Sequence, residues 1–369
     1  MKAVIKFIVI SVFLLSCNRK EQKIEVKTLP LKIDSLFAAV PDFSGVVLVA
    51  DKGKPVYHKA FGFTNVETKQ NLDTTSIFEL ASVSKQFTAM LIAMLQGEGK
   101  LNYDDQVEKY LPELPYKGIT IRHLLTHTSG LPDYQQLMDE KWDKSKVATN
   151  EDILSYLKKF HPASLFKPGE KYEYSNTGYV LLGSIVEKAS GKDFVALCRE
   201  RIFDSVGMTS TNIRTKKEKD SIANFALGYI FVSEKNKYVR ADSFPSSNYT
   251  IWLGGRKGPG RISSTTSDLL KWDRALHDER LVNAQTMNEI FSPVKLNDGS
   301  FSNYGFGWML RRDSVLGKIV YHSGDNPGYK TEILRYIDRD KTVIVLCNNA
   351  HAKFDDLIQD VEHLLVTND

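Results

Sequence analysis

The chain has 369 residues, of which 25% are charged and 42% hydrophobic, and its formal net charge is +4. This is the composition of a globular protein with enough apolar material for one large core or two modest ones. A net charge this small gives no reason to expect nucleic acid or an acidic macromolecule as a partner.

The first 17 residues have the features of an export signal. Lys2 and Lys6 precede an apolar stretch over residues 7–15, which is too short for a stable membrane-spanning helix but typical of a signal peptide. It ends in Leu14-Leu15-Ser16-Cys17, which resembles a lipobox, the motif whose cysteine becomes lipidated. We therefore expect a signal peptide over residues 1–17, lipidation of Cys17, and a periplasmic or cell-surface lipoprotein. A plain secretory signal and an uncleaved anchor are the alternatives.

Residues 18–30 are polar and charged, as expected of a tether between the lipid and a folded domain. A short helical pattern over residues 33–39 follows. Two apolar runs, 45–49 and 55–61, are then separated by a turn and predict a β-hairpin.

The middle of the chain is predicted to be mostly helical, and the end returns to strands. Apolar residues at helical spacing predict helices over residues 82–96, 178–190 and 268–276. The remaining segments predict three strands and a closing helix, over residues 318–322, 329–337, 342–347 and 354–366.

Together these elements predict an α+β fold. Strands from both chain ends would form one antiparallel sheet flanked by helices, with the helical middle inserted between them. We expect one domain over residues 31–369. Its sheet lobe would comprise residues 31–81 and 300–369, and its helical lobe residues 82–299.

Lipidation of Cys17 would leave two cysteines, Cys198 and Cys347. An exported protein can form disulfides. Cys198 lies in a helical pattern and Cys347 in an apolar strand, so two buried free thiols are the preferred interpretation, with a disulfide as the alternative. Two cysteines without close spacing make a poor metal site, and no metal or cofactor is expected.

The first candidate for catalysis is Ser82-Val83-Ser84-Lys85. Residues three apart lie on one face of a helix, so the Lys85 ammonium can reach the Ser82 hydroxyl. A serine needs an adjacent base, and a lysine can serve when burial lowers its pKa. The spacing alone is weak evidence, since it recurs at three other places: Ser155/Lys158, Ser164/Lys167 and Ser292/Lys295. Ser82 is preferred because it begins a strongly apolar helix.

Two further motifs follow Ser82-x-x-Lys85 along the chain, and the order of the three is informative. Tyr174-Ser175-Asn176 is the only Tyr-x-Asn in the chain, and His322-Ser323-Gly324 is the only His-x-Gly. With Ser82-x-x-Lys85 they resemble the ordered motifs of the serine β-lactamases and penicillin-binding proteins. The tyrosine in the second motif is similar to the class C branch, which includes D-Ala-D-Ala carboxypeptidases, D-aminopeptidases and esterases. Nearly the whole mature chain takes part in the resemblance, including residues 80–88, 122–132 and 304–308.

The resemblance implies a role for each motif residue. Ser82 would be acylated, and Lys85 and Tyr174 would share proton transfer, with a tyrosine phenolate favoured beside a lysine ammonium. Asn176 would bind the amide side chain of the substrate. The backbone N–H groups of Ser82 and Asp325 would form the oxyanion hole.

The third motif is expected to bind substrate through His322, Ser323 and Gly324. Gly324 would keep its strand open. His322 stands where many relatives have lysine, which argues against a strict β-lactamase. Since histidine has an ordinary pKa of about 6.5, we expect weak preference for carboxylate-bearing substrates and good activity on neutral amides or esters.

Other patterns invite different interpretations. His123 and His127 have the spacing of a zinc helix, but the glutamate of that motif is missing, so structural histidines are preferred. The glycine-rich segment 254–260 lacks the phosphate-loop spacing and is interpreted as a flexible loop at the edge of the active site.

The sequence therefore predicts a serine hydrolase that acts through an acyl-enzyme on amide, lactam or ester bonds, with cell-wall peptides or related small molecules as substrates. Two alternatives remain. One is a penicillin- or peptidoglycan-binding protein that does not turn over. The other is an acyl transferase or esterase on the same fold.

Overall fold

The computed structural model describes residues 28–367. The predicted signal peptide, Cys17 and nearly all of the predicted tether lie outside the described residues. Helix α1 begins at Leu29, slightly before the predicted end of the tether, because Pro30 falls in the first helical turn, where no backbone N–H is needed. No helix among residues 28–367 is both long and apolar enough to cross a membrane.

The helices of the described residues are α1 Leu29–Ala38, α2 Lys85–Gly97, α3 Ile121–Leu125, α4 Tyr134–Lys141, α5 Asn150–Phe160, α6 Asn176–Ser190, α7 Phe194–Cys198, α8 Asp204–Val206, α9 Lys216–Asp220, α10 Tyr249–Trp252, α11 Thr266–His277, α12 Ala284–Ile290 and α13 Phe354–Thr367. The strands are β1 Gly45–Asp51, β2 Lys54–Phe61, β3 Phe63–Asn65, β4 Gln70–Asn71, β5 Phe78–Glu79, β6 Asn212–Ile213, β7 Tyr229–Val232, β8 Lys237–Arg240, β9 Ile262–Ser264, β10 Val294–Lys295, β11 Phe301–Ser302, β12 Met309–Asp313, β13 Gly317–Asn326, β14 Tyr329–Tyr336 and β15 Lys341–Cys347.

Strands from the two chain ends form one six-stranded sheet, in the order β12-β13-β14-β15-β1-β2. All neighbours in it are antiparallel, and the two ends of the chain meet where Gly45 of β1 pairs with Cys347 of β15. The predicted α+β fold is confirmed.

Both faces of this sheet are covered, which explains the continuous apolar runs of β1 and β15. Alternate residues of a strand point to opposite faces. Val47 and Val345 pack with α1 and α13 on one face, while Leu48 and Ile344 join the larger core shared with the helical lobe.

The segment between β2 and β12 is mostly helical, as predicted. Its central pair is α2 and α6, and most of the side chains of both are buried. The lobe also contains short strands that were not predicted, among them the β7–β8 hairpin and the β5-β9-β6 sheet. Two- to four-residue strands leave too little periodicity to be recognised in a sequence.

The two cysteines of the described part of the chain are free and buried. Cys198 ends α7 in the helical lobe and Cys347 ends β15 in the sheet. This confirms the preferred interpretation of two buried thiols and excludes the disulfide between them.

Candidate active site

Ser82 lies in a turn between the two lobes. Residues Ala81–Ser84 form a 3-10 turn and the α-helix starts only at Lys85, so the prediction of an α-helix from residue 82 is corrected by one turn. Ala81 has φ +48°, a left-handed conformation that a residue with a side chain adopts at a cost. The turn is fixed by the Leu80 N–H, which donates to the Ile262 carbonyl at 2.9 Å. Ser82 itself is only partly buried, so its hydroxyl is open to a substrate.

The Lys85 amine is enclosed by three oxygen atoms. Its Nζ lies 3.0 Å from Ser82 Oγ, 2.9 Å from Asn176 Oδ1 and 2.9 Å from the Pro259 carbonyl oxygen. Lys85 is 0% exposed and forms no ion pair with any carboxylate of residues 28–367. Burial, aided by the nearby positive charge of Arg256, lowers the pKa of Lys85 well below its ordinary value.

Burial favours the neutral amine, and this set of partners can accommodate it. A neutral amine has two N–H donors and one lone pair, whereas the Pro259 carbonyl and the Asn176 side-chain oxygen can only accept. Two donors satisfy these two oxygens, and the lone pair is left to accept the Ser82 hydroxyl proton. In its neutral form Lys85, 3.0 Å from Ser82 Oγ, is placed to act as a general base for Ser82.

Tyr174 lies on the other side of Lys85, with the amine 4.8 Å from the centre of the phenol ring. Burial raises the pKa of Tyr174, and a hydrogen bond with the Ser82 hydroxyl opposes this only in part. The predicted phenolate is therefore corrected: because Lys85 is itself driven to the neutral form, it supplies no charge to stabilise one.

The Tyr174 ring is held in place by the buried His127 ring, whose centre is 4.3 Å away. His127 Nδ1 accepts the Ser175 N–H at 3.0 Å, which fixes the backbone beside Tyr174. Burial, followed by the nearby Lys85 and His322, lowers the pKa of His127 well below its ordinary value. His123 lies elsewhere: its Nδ1 accepts the Thr120 N–H at 3.1 Å and caps α3.

Asn176 is the first residue of α6 and points toward Lys85. Ser175, not Asn176, caps this helix, with its hydroxyl accepting the Gly178 N–H at 3.3 Å. The Asn176 carboxamide oxygen accepts from Lys85, so the amide NH₂ remains for a substrate carbonyl.

His322 is in the site but does not reach the open cleft. It is 1% exposed, its Nε2 lies 2.8 Å from the Tyr304 hydroxyl, and its Nδ1 lies 2.6 Å from the Ser323 carbonyl oxygen. Burial lowers the pKa of His322 to about 3. The prediction that this side chain binds substrate is corrected: protein partners occupy both nitrogens, so the ring positions Tyr304 and its own strand.

Strand β13 offers substrate an open edge. Its pairing with β12 ends where Met309 meets Tyr321, so residues 322–326 pair with β14 alone. Ser323 and Asp325 are exposed and alternate with the buried His322 and Gly324, so their side chains point away from the Ser82 turn. Ser323 and Asp325 therefore present their backbone groups to the open edge of β13. These groups include the Asp325 N–H that was predicted for the oxyanion hole.

Gly324 was predicted to keep its strand open to substrate, but the structure gives it a role in close packing. A Cβ at this position would overlap the carbonyl oxygen of Leu80 and crowd Ala81. The glycine therefore allows β13 to approach the Ser82 turn closely, which brings the two predicted oxyanion donors to the same place.

Two contributors to the site were missed by the sequence reasoning. Pro259, in the glycine-rich segment expected at the edge of the site, supplies a backbone carbonyl to Lys85. Tyr304, from a segment noted only for its resemblance to the family, lies 4.5 Å from the His127 ring and bonds to His322. A backbone acceptor leaves no signal in sequence, whereas a tyrosine in a recognisable segment could have been proposed.

Comparison with known proteins agrees with this geometry. The sequence model of the family described as Beta-lactamase matches residues 33–367. The chain is 42% identical to penicillin-binding protein 4* of Bacillus subtilis, over 88% of this chain and 72% of that protein. It is 26% identical to a D-aminopeptidase of Cereibacter sphaeroides, over 88% of this chain and 62% of the relative, so it spans less than two thirds of that enzyme.

Solved structures show the same fold. The octameric penicillin-binding protein homologue from Pyrococcus abyssi superposes with a TM-score of 0.79 at 28% identity, over 92% of this chain and 77% of that one. The penicillin-binding protein from Bacillus halodurans superposes with a TM-score of 0.77 at 26% identity, over 92% and 99% of the two chains. The chain therefore belongs to the β-lactamase family and is a serine hydrolase of that fold.

Proposed function

We propose that the protein forms an acyl-enzyme on Ser82 and hydrolyses amide, lactam or ester bonds of small molecules and peptides, with cell-wall peptides as a candidate substrate class. The observation that carries the proposal is the 3.0 Å contact between Ser82 Oγ and a buried Lys85 amine that has no counter-ion in the described part of the chain. A neutral amine in this position can accept the proton of the Ser82 hydroxyl.

Acylation would proceed as follows. Ser82 Oγ attacks the carbonyl carbon while its proton passes to the lone pair of Lys85. The negative charge on the carbonyl oxygen is stabilised by the N–H groups of Ser82 and Asp325. When the tetrahedral intermediate collapses, the bond to the leaving group breaks, and the leaving group takes the proton from Lys85 directly or through the Tyr174 hydroxyl. Water then attacks the ester carbonyl carbon and gives a proton to Lys85. When this second intermediate collapses, the bond to Ser82 Oγ breaks, Oγ takes the proton back from Lys85, and the acid is released.

The open edge of β13 supports an extended substrate. Free backbone groups along residues 322–326 can pair with a peptide-like chain, as in strand addition. The names of the relatives, penicillin-binding protein and D-aminopeptidase, agree with amide and lactam substrates. Acyl transfer and binding without turnover use the same acyl-enzyme and are the second candidates.

Labelling with a fluorophosphonate and with a fluorescent penicillin tests the proposal. The label should map to Ser82 by peptide mass spectrometry and disappear in Ser82→Ala. Ser155→Ala is the matched control, because Ser155 and Lys158 have the same spacing but lie exposed on α5. Label on Ser155, or equal labelling of Ser82→Ala, contradicts the proposal. A Ser82 label that forms but is never released favours the binding protein.

We also propose that the mature protein is exported and anchored through Cys17. The basic, apolar and cysteine-ending sequence of residues 1–17 supports this. Wild type should enter the detergent phase on partitioning, and Cys17→Ala should move to the aqueous or unprocessed fraction. Identical partitioning of the two proteins, with residues 1–17 retained, indicates an uncleaved segment instead.

A further inference from the structure

A cavity of about 270 Å³ adjoins the catalytic centre. Its wall includes Asn326, the last residue of the open edge of β13, and Glu79, which ends β5 three residues before Ser82. Arg261 also lines it, two residues after the Pro259 that binds Lys85. A substrate lying along the open edge therefore reaches this cavity one residue beyond Asp325, about 3.3 Å along the strand.

The inner wall of the cavity carries more positive than negative charge. Glu79 is its buried carboxylate, and it pairs with Lys219 while Arg261 Nη1 lies 3.6 Å away. Arg256, 6% exposed, lies near enough to influence the charges of Glu79, Lys219 and Arg261 and forms no ion pair within residues 28–367. Lys219, Arg261 and, behind the wall, Arg256 thus share the single buried carboxylate of Glu79. The other two carboxylates of the wall, Asp220 and Asp242, are paired with Lys216 and Arg240. A buried excess of this kind is costly unless an anion completes it.

Arg261 is strained as well as buried. Its φ is +82°, a region that favours glycine, and it is 4% exposed. Its Nη2 donates to the Arg214 carbonyl at 3.2 Å, but its Nε is buried without a hydrogen-bond partner among the described residues. Arg240, further along the wall, is paired with Asp242 at 2.6 Å, and only its Nε is buried without a partner there. A strained arginine kept at a cavity wall, beside more buried cations than carboxylates, supports an anionic ligand.

The direction of the substrate decides which of its parts enters the cavity. The leaving group must lie near its proton donors, Lys85 and Tyr174, and Tyr174 lies beside His322, with ring centres 6.2 Å apart. His322 is at the opposite end of the open edge from Asn326. The acyl part therefore extends toward Asn326 and the cavity.

We propose that this cavity binds an anionic group, a carboxylate in the simplest case, on the acyl part of the substrate, with Arg261 as the specificity-determining residue. The inference rests on the proposed acylation of Ser82. It defines two unlike ends of one site: a neutral end at His322 and a cationic end at Arg261. The weak preference expected from His322 concerns a carboxylate on the leaving group. It is therefore compatible with a preference for a carboxylate on the acyl part at Arg261.

Binding without chemistry tests this inference separately from turnover. The probes are glutaric acid monoanilide, whose acyl chain ends in a carboxylate, and its neutral methyl ester. In a Ser82→Ala background, calorimetry should show the acid binding at least about tenfold more tightly than the ester, which corresponds to about 1.4 kcal/mol. Arg261→Gly should abolish the difference and leave the binding of the ester unchanged. Arg261→Lys, which retains the charge, should keep part of the preference.

Arg261→Gly suits the test because glycine relieves the positive φ, and Lys219 remains to pair with Glu79. Melting temperatures check that each variant is folded, and Arg261→Gln serves if the glycine variant is not. Equal binding of the two probes to Ser82→Ala, no measurable binding of the acid, or a loss of both probes in Arg261→Gly overturns the inference. The last result would show that Arg261 only supports Glu79. Failure to label Ser82 in the wild-type protein would instead overturn the proposed function.

Discussion

At the scale of residues, one physical cause sets the protonation states of the site. Burial lowers the pKa values of Lys85 and His322 and raises that of Tyr174, so all three are driven toward their uncharged forms. An uncharged lysine can accept the serine proton, and an uncharged tyrosine can donate one. The site therefore combines a base and an acid without an ion pair between them.

Replacement of the base should stop acylation. Lys85→Ala is expected to lower the acylation rate by several orders of magnitude, since a serine hydroxyl without its base is a poor nucleophile. Stopped-flow acylation measures the rate, and circular dichroism checks the fold. A loss of less than about tenfold, or about 1.4 kcal/mol of barrier, would place the base elsewhere.

The neutral state of His322 predicts a selectivity that does not change with pH. With a pKa of about 3, the ring carries no charge at or above pH 6. The ratio of kcat/KM for an anionic lactam to that for a neutral ester should therefore stay constant from about pH 6 to about pH 8.5, while effects of Lys85 and Tyr174 cancel in the ratio. A ratio that falls as pH rises through about 6.5 would mean that a charged His322 attracts the lactam carboxylate.

Some contacts of the active site could be predicted from the sequence and others could not. The spacing of Ser82 and Lys85 and the order of the three motifs located the side chains that meet. The spacing could not show that His322 is covered by Tyr304, because burial depends on contacts between distant segments. It could not show the Pro259 carbonyl either, since every residue has one.

At the scale of elements, the site depends on the close approach of β13 to the turn at residues 81–84. Five of the six strands of the large sheet were predicted, whereas the edge strand β12, with three charged residues among its five, was not. The short strands of the helical lobe and the 3-10 turn before α2 were not, since tertiary contacts such as the bond from Leu80 N–H to Ile262 determine them.

A side chain at Gly324 should separate these two elements. In Gly324→Ala the new Cβ meets the Leu80 carbonyl, so we expect acylation to slow by at least about tenfold and the free energy of unfolding to fall by about 1–3 kcal/mol. Gly97→Ala is the matched control. No atom outside its own helix and its chain neighbours lies within 4 Å of its new Cβ, and it should leave acylation unchanged. Normal acylation in Gly324→Ala, measured beside this control, would show that the close approach is not required.

At the scale of the whole molecule, the catalytic residues come from both lobes. The helical lobe supplies Lys85, Tyr174 and Asn176, and the sheet supplies the edge of β13. Because the sheet joins both chain ends, as Gly45 and Cys347 show, the inserted lobe is held at its two connections and the site forms between them. This two-lobed arrangement could be predicted from the order of strands and helices in the sequence. The charged cavity beside the site could not be predicted in this way.

An NMR titration of the Lys85 side chain shows whether this residue is a neutral base in the folded enzyme. The protein is labelled with ¹³C at the lysine ε-carbons, and Lys85→Met assigns the Lys85 signal by its absence. This signal should have the shift of an uncharged amine near neutral pH and titrate well below those of the other lysines. A Lys85 signal that remains that of an ammonium ion until about pH 10.4, as for an ordinary lysine, would contradict this expectation.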